Sequence, residues 1–233
     1  MLKMMITCRR NPSMSRAQFF HHLRHVHWPL IQRYPDVADA VPGYVQNHTV
    51  LPEPGVELSA PFKLAVERDS VIELAFDGVA GIHRLLSVPA YMQHVRPDEA
   101  RFNDLAHNIM VLANVSSVFR LPSVGRCKRF DFIRRSSAID AATFRAKLDN
   151  HSQALALDPI YTAHVDRHVD NIVATAEMNA GFGEGAFDAV REVWATSFAA
   201  LARVANRSAA DYADPEKSFS VFATEFPIHG TVE

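Results

Sequence analysis

SRAQFFHHLRHVHWPLIQRY, from Ser15 to Tyr34, is the stretch whose reading decides the fold. Ser15 stands three residues before Gln18. That is the spacing of a capping box, in which two N–H groups left over at a helix start are satisfied reciprocally. Phe20, Leu23, His27, Leu30, Ile31 and Tyr34 then recur in steps of three and four. At ~100° per residue they share one helix face. His27 lies near the middle of that apolar face, while His21, His22 and His25 fall on the far side, where solvent is expected. Two residues past His27 sits Pro29, which has no backbone N–H and crowds the preceding turn, at a cost of roughly 3 kcal/mol in a helix interior. The stretch therefore predicts a helix that aims one imidazole at the core and then bends or ends. Such a histidine serves either as a core residue bonded to a carbonyl or as a functional imidazole, and the helix alone leaves both open.

Working outward, 233 residues with 48% hydrophobic and 21% charged side chains are the composition of a globular chain with a large core in one or two domains. A formal net charge of −2 gives no electrostatic pull toward nucleic acid or an anionic membrane, and neither is expected as a partner. No run approaches the ~18 apolar residues of a membrane span. MLKMMITCRR, the first ten residues, alternates like a strand and meets charge too soon for a signal peptide. A cytoplasmic location is expected, with Cys8 and Cys127 as reduced, unlinked thiols that begin equivalent strands. His21 and His25 have metal-ligand spacing but no visible third ligand, so no metal is expected.

The chain's elements follow a β-α-β-β-α-β order. Strands are predicted at 4–9, 44–50, 71–76 and 109–115, the first helix at 15–34, and a second from Val79 to Val95 interrupted by Pro89. Pro52, Pro54, Gly55 and Pro61 mark a long loop. After a linker at 121–125 the order recurs. Strands are predicted at 129–133, 163–173, 188–195 and 218–226, with helices at 140–157 and 198–207. Residues recur with it: Phe20 and His27 match Phe144 and His151 (151 − 27 = 124), Val45 and His48 match Val165 and His168 (168 − 48 = 120), and Glu73 matches Glu192 (192 − 73 = 119). This self-similarity reads as a tandem duplication, with halves at 1–120 and 121–233. The second half has HSQAL where the first has HWPLI, and Lys147 where the first has Leu23. Chemistry is therefore expected in the first half.

RRNPSMSRAQFF, then His27-Trp28-Pro29-Leu30, Pro42-Gly43-Tyr44-Val45-Gln46-Asn47-His48, Glu73-Leu74-Ala75-Phe76 and Asp98-Glu99-Ala100-Arg101-Phe102 resemble the EthD family. The resemblance covers residues 1–118, and the second half resembles the family in element order and at His151 and His168. It implies an α+β fold: two ferredoxin-like βαββαβ halves whose sheets pack face to face as an intramolecular dimeric α/β-barrel. Relatives in that superfamily include cofactor-free monooxygenases of aromatic polyketides, muconolactone isomerases, polyketide cyclases and haem-degrading enzymes. EthD itself is linked to ether degradation beside a cytochrome P450 system. The fold does not by itself fix a function.

The residues allow acid–base work. Gly181-x-Gly183-x-Gly185 lacks the spacing and the strand-to-helix context of a dinucleotide loop, and no C-x-x-C or G-x-S-x-G is present. No cofactor is expected. Imidazole titrates near neutrality and can take and return a proton within one turnover. His27 and His48 are the candidate catalytic residues. Phe20, Leu23, Tyr34, Tyr44, Asn47 and Glu73 are candidates for binding a small apolar or aromatic ligand, with Leu30 and Phe76 adding to an apolar lining. Tyr44, Gln46 and His48 share one strand face and Asn47 takes the other. If the His48 face meets the helix, His27 and His48 flank one pocket; if the Asn47 face does, Asn47 orients the ligand beside His27. Two readings follow. One is a cofactor-free oxidoreductase, isomerase or dehydratase on a small aromatic or polyketide-like compound. The other is a non-catalytic binding or accessory barrel beside a catabolic oxidising system. A homodimer of the pseudo-dimeric chain is compatible with either.

Overall fold

Helix α1 is Arg16–His22, and its start is built as the sequence dictates. Ser15 Oγ accepts from the Gln18 N–H at 3.2 Å and the Ser15 N–H donates to Gln18 Oε1 at 2.8 Å. The computed structural model describes residues 1–53, 58–175, 186–208 and 211–232. In it the helix does not simply end near Pro29. Leu23–His27 forms a π-helical turn, the Trp28 N–H donating to the Leu23 carbonyl five residues back, and α2 continues at Trp28–Gln32. The cause is Pro29: it offers no N–H to the carbonyl four residues earlier and its ring presses on that turn. One extra residue per turn opens the ladder ahead of it.

The same solution recurs later. After α3 (Pro35–Asp39) and α4 (Gly78–Ser87), a second π turn occupies Tyr91–Val95, with the Arg96 N–H donating to the Tyr91 carbonyl. Helix α5 (Arg96–Phe102) follows and carries Pro97. The helix expected from Val79 to Val95 is thus two pieces. Val88, the residue before Pro89, is extended, as a residue preceding proline prefers.

Nine strands lie among the described residues: β1 Leu2–Cys8, β2 Gly43–Thr49, β3 Lys63–Leu64, β4 Ser70–Phe76, β5 Ile109–Arg120, β6 Cys127–Ile133, β7 Arg167–Val173, β8 Ala189–Ala195 and β9 Phe219–Gly230. The chain divides into two compact units. The first comprises residues 1–48, 67–112 and 226–233. Its strands run in the order β2-β4-β1-β5, with β1 and β2 both antiparallel to β4. Met5 and Val45 both stand opposite Glu73, so Lys3, Met5, Val45, Asn47 and Glu73 share one sheet face. Tyr44, Gln46 and His48 share the other, and the Gln46 side chain donates to the Leu23 carbonyl, which makes this the helix-bearing face. Phe19, Leu23, Ile82, Leu85, Val95 and Phe102 bury the helices' apolar sides.

The second unit comprises residues 49–66 and 113–225. Its strands run β7-β8-β6-β9, with each neighbouring pair antiparallel. The helix α6 (Ala141–Leu157) is capped by Asp140, whose carboxylate accepts from the Thr143 N–H, and α7 (Pro159–Thr162) and α8 (Phe198–Arg203) follow. Leu155, Tyr161, Val193, Leu201 and Phe222 form one of its core clusters.

The expected cut after residue 120 therefore gives way to an exchange of segments. Thr49–Val66 belongs with the second unit because β3 pairs with β9 there, and the Val50 and Ala65 N–H groups donate to the Phe222 and Ser220 carbonyls. Residues 226–233 return to the first unit along β2. Gly43 permits that return: a Cβ there would sit 1.8 Å from the Thr231 carbonyl oxygen. The long loop read from its prolines accordingly contains β3. Cys8 ends β1 and Cys127 begins β6, so they do not hold equivalent places as expected, although both are free thiols. The glycine run Gly181–Gly185 lies outside the described residues. Among the described residues no helix is long and apolar enough to cross a membrane.

Candidate functional site

His27 is placed by the last residue of the π turn, and Asp98 by the first turn of α5. His27 Nδ1 lies 3.0 Å from Asp98 Oδ2. His22 Nε2 lies 3.1 Å from Oδ1 and 3.0 Å from Oδ2 of the same carboxylate. Both imidazoles pack on the Phe102 ring, at 4.8 Å for His22 and 4.9 Å for His27. Asp98 is buried, and burial alone would raise its pKa. The hydrogen bonds and charges of His27 and His22 outweigh that and hold the carboxyl below its ordinary range. An ionised Asp98 is an acceptor only, so each imidazole must present an N–H to it. In neutral His27 that fixes the tautomer and leaves the lone pair on Nε2. Nε2 makes no hydrogen bond among the described residues. His27 is 7% exposed.

The sequence pointed to His27 but not to its partners. His22 is not on a solvated face: its side chain is 14% exposed and bonded to Asp98. The extra residue of the π turn rotates the helix face, so that Phe19, Leu23 and His27 are buried while Phe20, Leu30 and Tyr34 are half-buried. Asp98 and Phe102 were visible only as members of the Asp98–Phe102 run. No periodicity assigns an acidic residue 71 positions away to a histidine.

His48 does sit on the helix-bearing face, which settles the strand's orientation, yet it has its own surroundings. It stacks on Phe20 at 4.3 Å with rings 2° from parallel, contacts the Phe226 ring at 4.7 Å, and its Nε2 is 3.3 Å from Gln46 Oε1. Burial, with the charges of Arg24 and Arg16, lowers its pKa to about 4. An imidazole so poised is neutral at pH 7 and a weak base. The unfolded chain takes up this proton near 6.5 and the folded chain only near 4, so folding stability falls as the pH is lowered across that interval. His48→Phe is expected to lose that segment of the pH–stability curve, and denaturant midpoints measured from pH 7 to 4 check it.

Asn47 and Glu73 point away from the helices. Lys3, Asn47 and Glu73 are each fully buried, with Lys3 Nζ 2.9 Å from Glu73 Oε2 and Asn47 Nδ2 2.8 Å from Glu73 Oε1. They are not beside His27, and their geometry is that of a satisfied ion pair. Tyr44 is buried and its hydroxyl accepts from Gln46 at 2.9 Å. Tyr34 stacks on His94 at 5.0 Å. Tyr91 and Glu99 complete the surroundings, the Tyr91 hydroxyl donating to Glu99 Oε1 at 2.9 Å. Among the described residues no group of three or more His, Cys, Asp or Glu is arranged to hold a metal ion.

In the second unit, His151 Nδ1 accepts from the Tyr212 hydroxyl at 3.0 Å and Nε2 donates to the Arg207 carbonyl at 2.9 Å. Both nitrogens are satisfied by protein groups, as a structural histidine requires. Counted from their strand starts, His168 takes the place of Tyr44, not of His48. It is bonded to Asp170 and Tyr161. A cavity of about 10 Å³ in this unit, against Val50, Leu64 and Phe222, has room for one water at most and touches none of these histidines.

No curated protein sequence matches the chain. Solved structures do match over nearly its full length. An anthrone oxidase-like protein shares 9% identity, with 100% of this chain and 94% of that chain covered and a TM-score of 0.56. A candidate monooxygenase from Lactobacillus acidophilus NCFM shares 7% identity over 99% and 96%, with a TM-score of 0.53. A variant chlorite dismutase from Candidatus Nitrospira defluvii shares 9% over 96% and 91%, with a TM-score of 0.52. At such identities these likenesses speak to the mixed α/β fold and to nothing else. The family match is independent of them and spans the π turns, His22, His27 and Asp98: residues 11–106 of this chain match the EthD domain.

Proposed function

We propose that the first unit is an acid–base enzyme of oxidoreductase type, acting on a small aromatic or polyketide-like carbon acid. The observation that carries this reading is Asp98, which holds His27 through Nδ1 and leaves Nε2 with a free lone pair. A carboxylate-oriented imidazole with a free ring nitrogen is suited to removing a proton from carbon, because its geometry is fixed beforehand. The names of the structural neighbours, an anthrone oxidase-like protein and a candidate monooxygenase, favour dioxygen as the oxidant. The reaction then converts an activated CH₂ and O₂ into C=O and water. No cofactor enters this scheme.

In the same reading the chain is a tandem duplication whose halves form one dimeric α/β-barrel. Its support is a buried trio that recurs. Lys3, Asn47 and Glu73 in the first unit correspond by strand position to Lys128, Asn171 and Glu192 in the second, where Lys128 pairs with Glu192 and Asn171 donates to it at 2.6 Å. The active unit is the first, since His151 has no free nitrogen.

The test uses anthrone as probe. In D₂O without oxygen, the wild type is expected to exchange the acidic C–H, and in air to form the quinone. His27→Gln should lose both, and His151→Gln should keep both. A second reading, a binding barrel without catalysis, is favoured by the slight exposure of His27. Anthrone that binds but shows no exchange above the buffer rate would select it.

A further inference from the structure

Removing a proton from carbon is half of an oxygenation. The peroxide that forms when dioxygen adds to the carbanion must be protonated before its O–O bond can break. A second proton-carrying group is therefore required, and α5 carries one next to Asp98. Glu99 directly follows Asp98 in α5 and is half-buried. Its Oε1 accepts from the Tyr91 hydroxyl at 2.9 Å, and Tyr91 comes from the second π turn, the counterpart of the one that delivers His27. Oε2 makes no hydrogen bond among the described residues.

The charged and titratable groups around Glu99 come from every element packed on it. They are His27 from the first π turn, Tyr91 from the second, Arg96 and Asp98 from α5, Cys8 from β1 and Tyr44 from β2. Burial pushes the Glu99 carboxyl up, against the pull of His27, the Tyr91 hydrogen bond and Arg96. Its neighbour Asp98 is held low. Two adjacent carboxyls driven in opposite directions have the character of an acid set beside a charge stabiliser.

We propose that Glu99, positioned by Tyr91, is the acid partner of His27 and delivers its proton to the peroxide oxygen of the substrate. This rests on the reading of His27 as the base. His27 Nε2 takes the first C–H proton and the carbanion adds dioxygen, forming a C–O bond. Glu99 gives its proton to the distal oxygen, making the hydroperoxide. His27, having passed its proton to Glu99 through solvent, takes the second C–H proton as the O–O bond breaks. Hydroxide leaves, takes a proton from Glu99 and departs as water, the carbon is left as a carbonyl, and His27 returns its second proton to Glu99 through solvent. One O₂ and one CH₂ give one C=O and one H₂O.

Glu99→Gln keeps the size and the bond from Tyr91 but carries no acidic proton. On anthrone it is expected to retain C–H exchange in D₂O within about threefold of wild type. Quinone formation should fall by on the order of a hundredfold, a typical contribution of general acid catalysis. Wild-type quinone formation should decline as pH rises through the Glu99 titration, and this limb should be missing from the variant. The Tyr91 hydrogen bond favours the carboxylate, so Tyr91→Phe should move the limb to higher pH. Near-wild-type quinone formation by Glu99→Gln, or a pH limb that persists in it, overturns the proposal and leaves His27 as the base. Should Glu99→Gln fail to fold, a pH limb unmoved in Tyr91→Phe overturns it equally. Absence of exchange in the wild type sinks the base assignment and this proposal together.

Discussion

His27→Gln is expected to lower turnover by two to four orders of magnitude, the range in which positioned acid–base groups contribute. The melting temperature should move by only a few degrees, the effect of roughly 1 kcal/mol in a chain of this size. Glutamine keeps a donor for Asp98 but has no basic nitrogen. Asp98→Asn addresses the same dyad differently. It leaves the base in place and removes the charge that sets its tautomer, so activity falls while some of the imidazole remains competent. It also replaces one of the two acceptor oxygens that His22 and His27 share by an NH₂ donor, a loss of about 1–3 kcal/mol. The pH dependence distinguishes this loss from ordinary repacking. A carboxyl whose folded pKa is depressed contributes stability that is present above its unfolded value and vanishes as pH falls through the folded one. The Asp98 contribution should therefore be full at neutral pH and disappear below the ordinary value of 3.8, where the stabilities of wild type and Asp98→Asn should converge. Denaturant titrations from pH 7 to 2.5 measure this. Parallel curves with a constant gap would show that Asp98 acts by shape rather than by charge.

The second large effect is on stability. Glu73→Ala should cost about 3–5 kcal/mol, because it leaves the Lys3 ammonium without its carboxylate in a site that water does not reach. It also removes one of the two acceptors of the Asn47 carboxamide, the other being the Val71 carbonyl. The double variant Lys3→Met, Glu73→Leu should recover most of that loss, since removing both charges avoids the desolvation penalty. Urea midpoints for the two variants provide the comparison. A double variant as unstable as the single one would mean that the ion pair itself, rather than avoidance of a stranded charge, holds this face of the sheet. Catalysis is expected to respond weakly to the double variant, because the trio lies on the face turned away from His27.

A good deal of this protein was legible in its residues. Ser15 and Gln18 fix the helix start, because a capping box is satisfied within four residues. Strand positions followed from alternation and β-branched runs, and β2 and β4 begin and end within a residue or so of the expectation. His27 was singled out by its spacing from Leu23 and by Pro29. These features are local, so a short window contains everything that decides them.

The remainder depended on what the chain brings together. Pro29 predicts that the helix bends or ends, but the structure absorbs it in a π turn, which shifts the buried face from Phe20 to Phe19 and brings His22 inward. Asp98 and Glu99 are 71 and 72 residues from His27 and become its neighbours only when α5 packs on the first π turn. Strand alternation could say that Asn47 and His48 face opposite ways, but not which of them meets the helices. That choice is made by Gln46, whose side chain bonds the Leu23 carbonyl, and by the Lys3–Glu73 pair on the reverse face. The capping residues, strand pattern and candidate imidazole were thus determined by the sequence alone. The Asp98 carboxylate that orients that imidazole, and the placing of Glu99 next to it, were decided only by tertiary packing, since the energies that select them belong to contacts between distant segments.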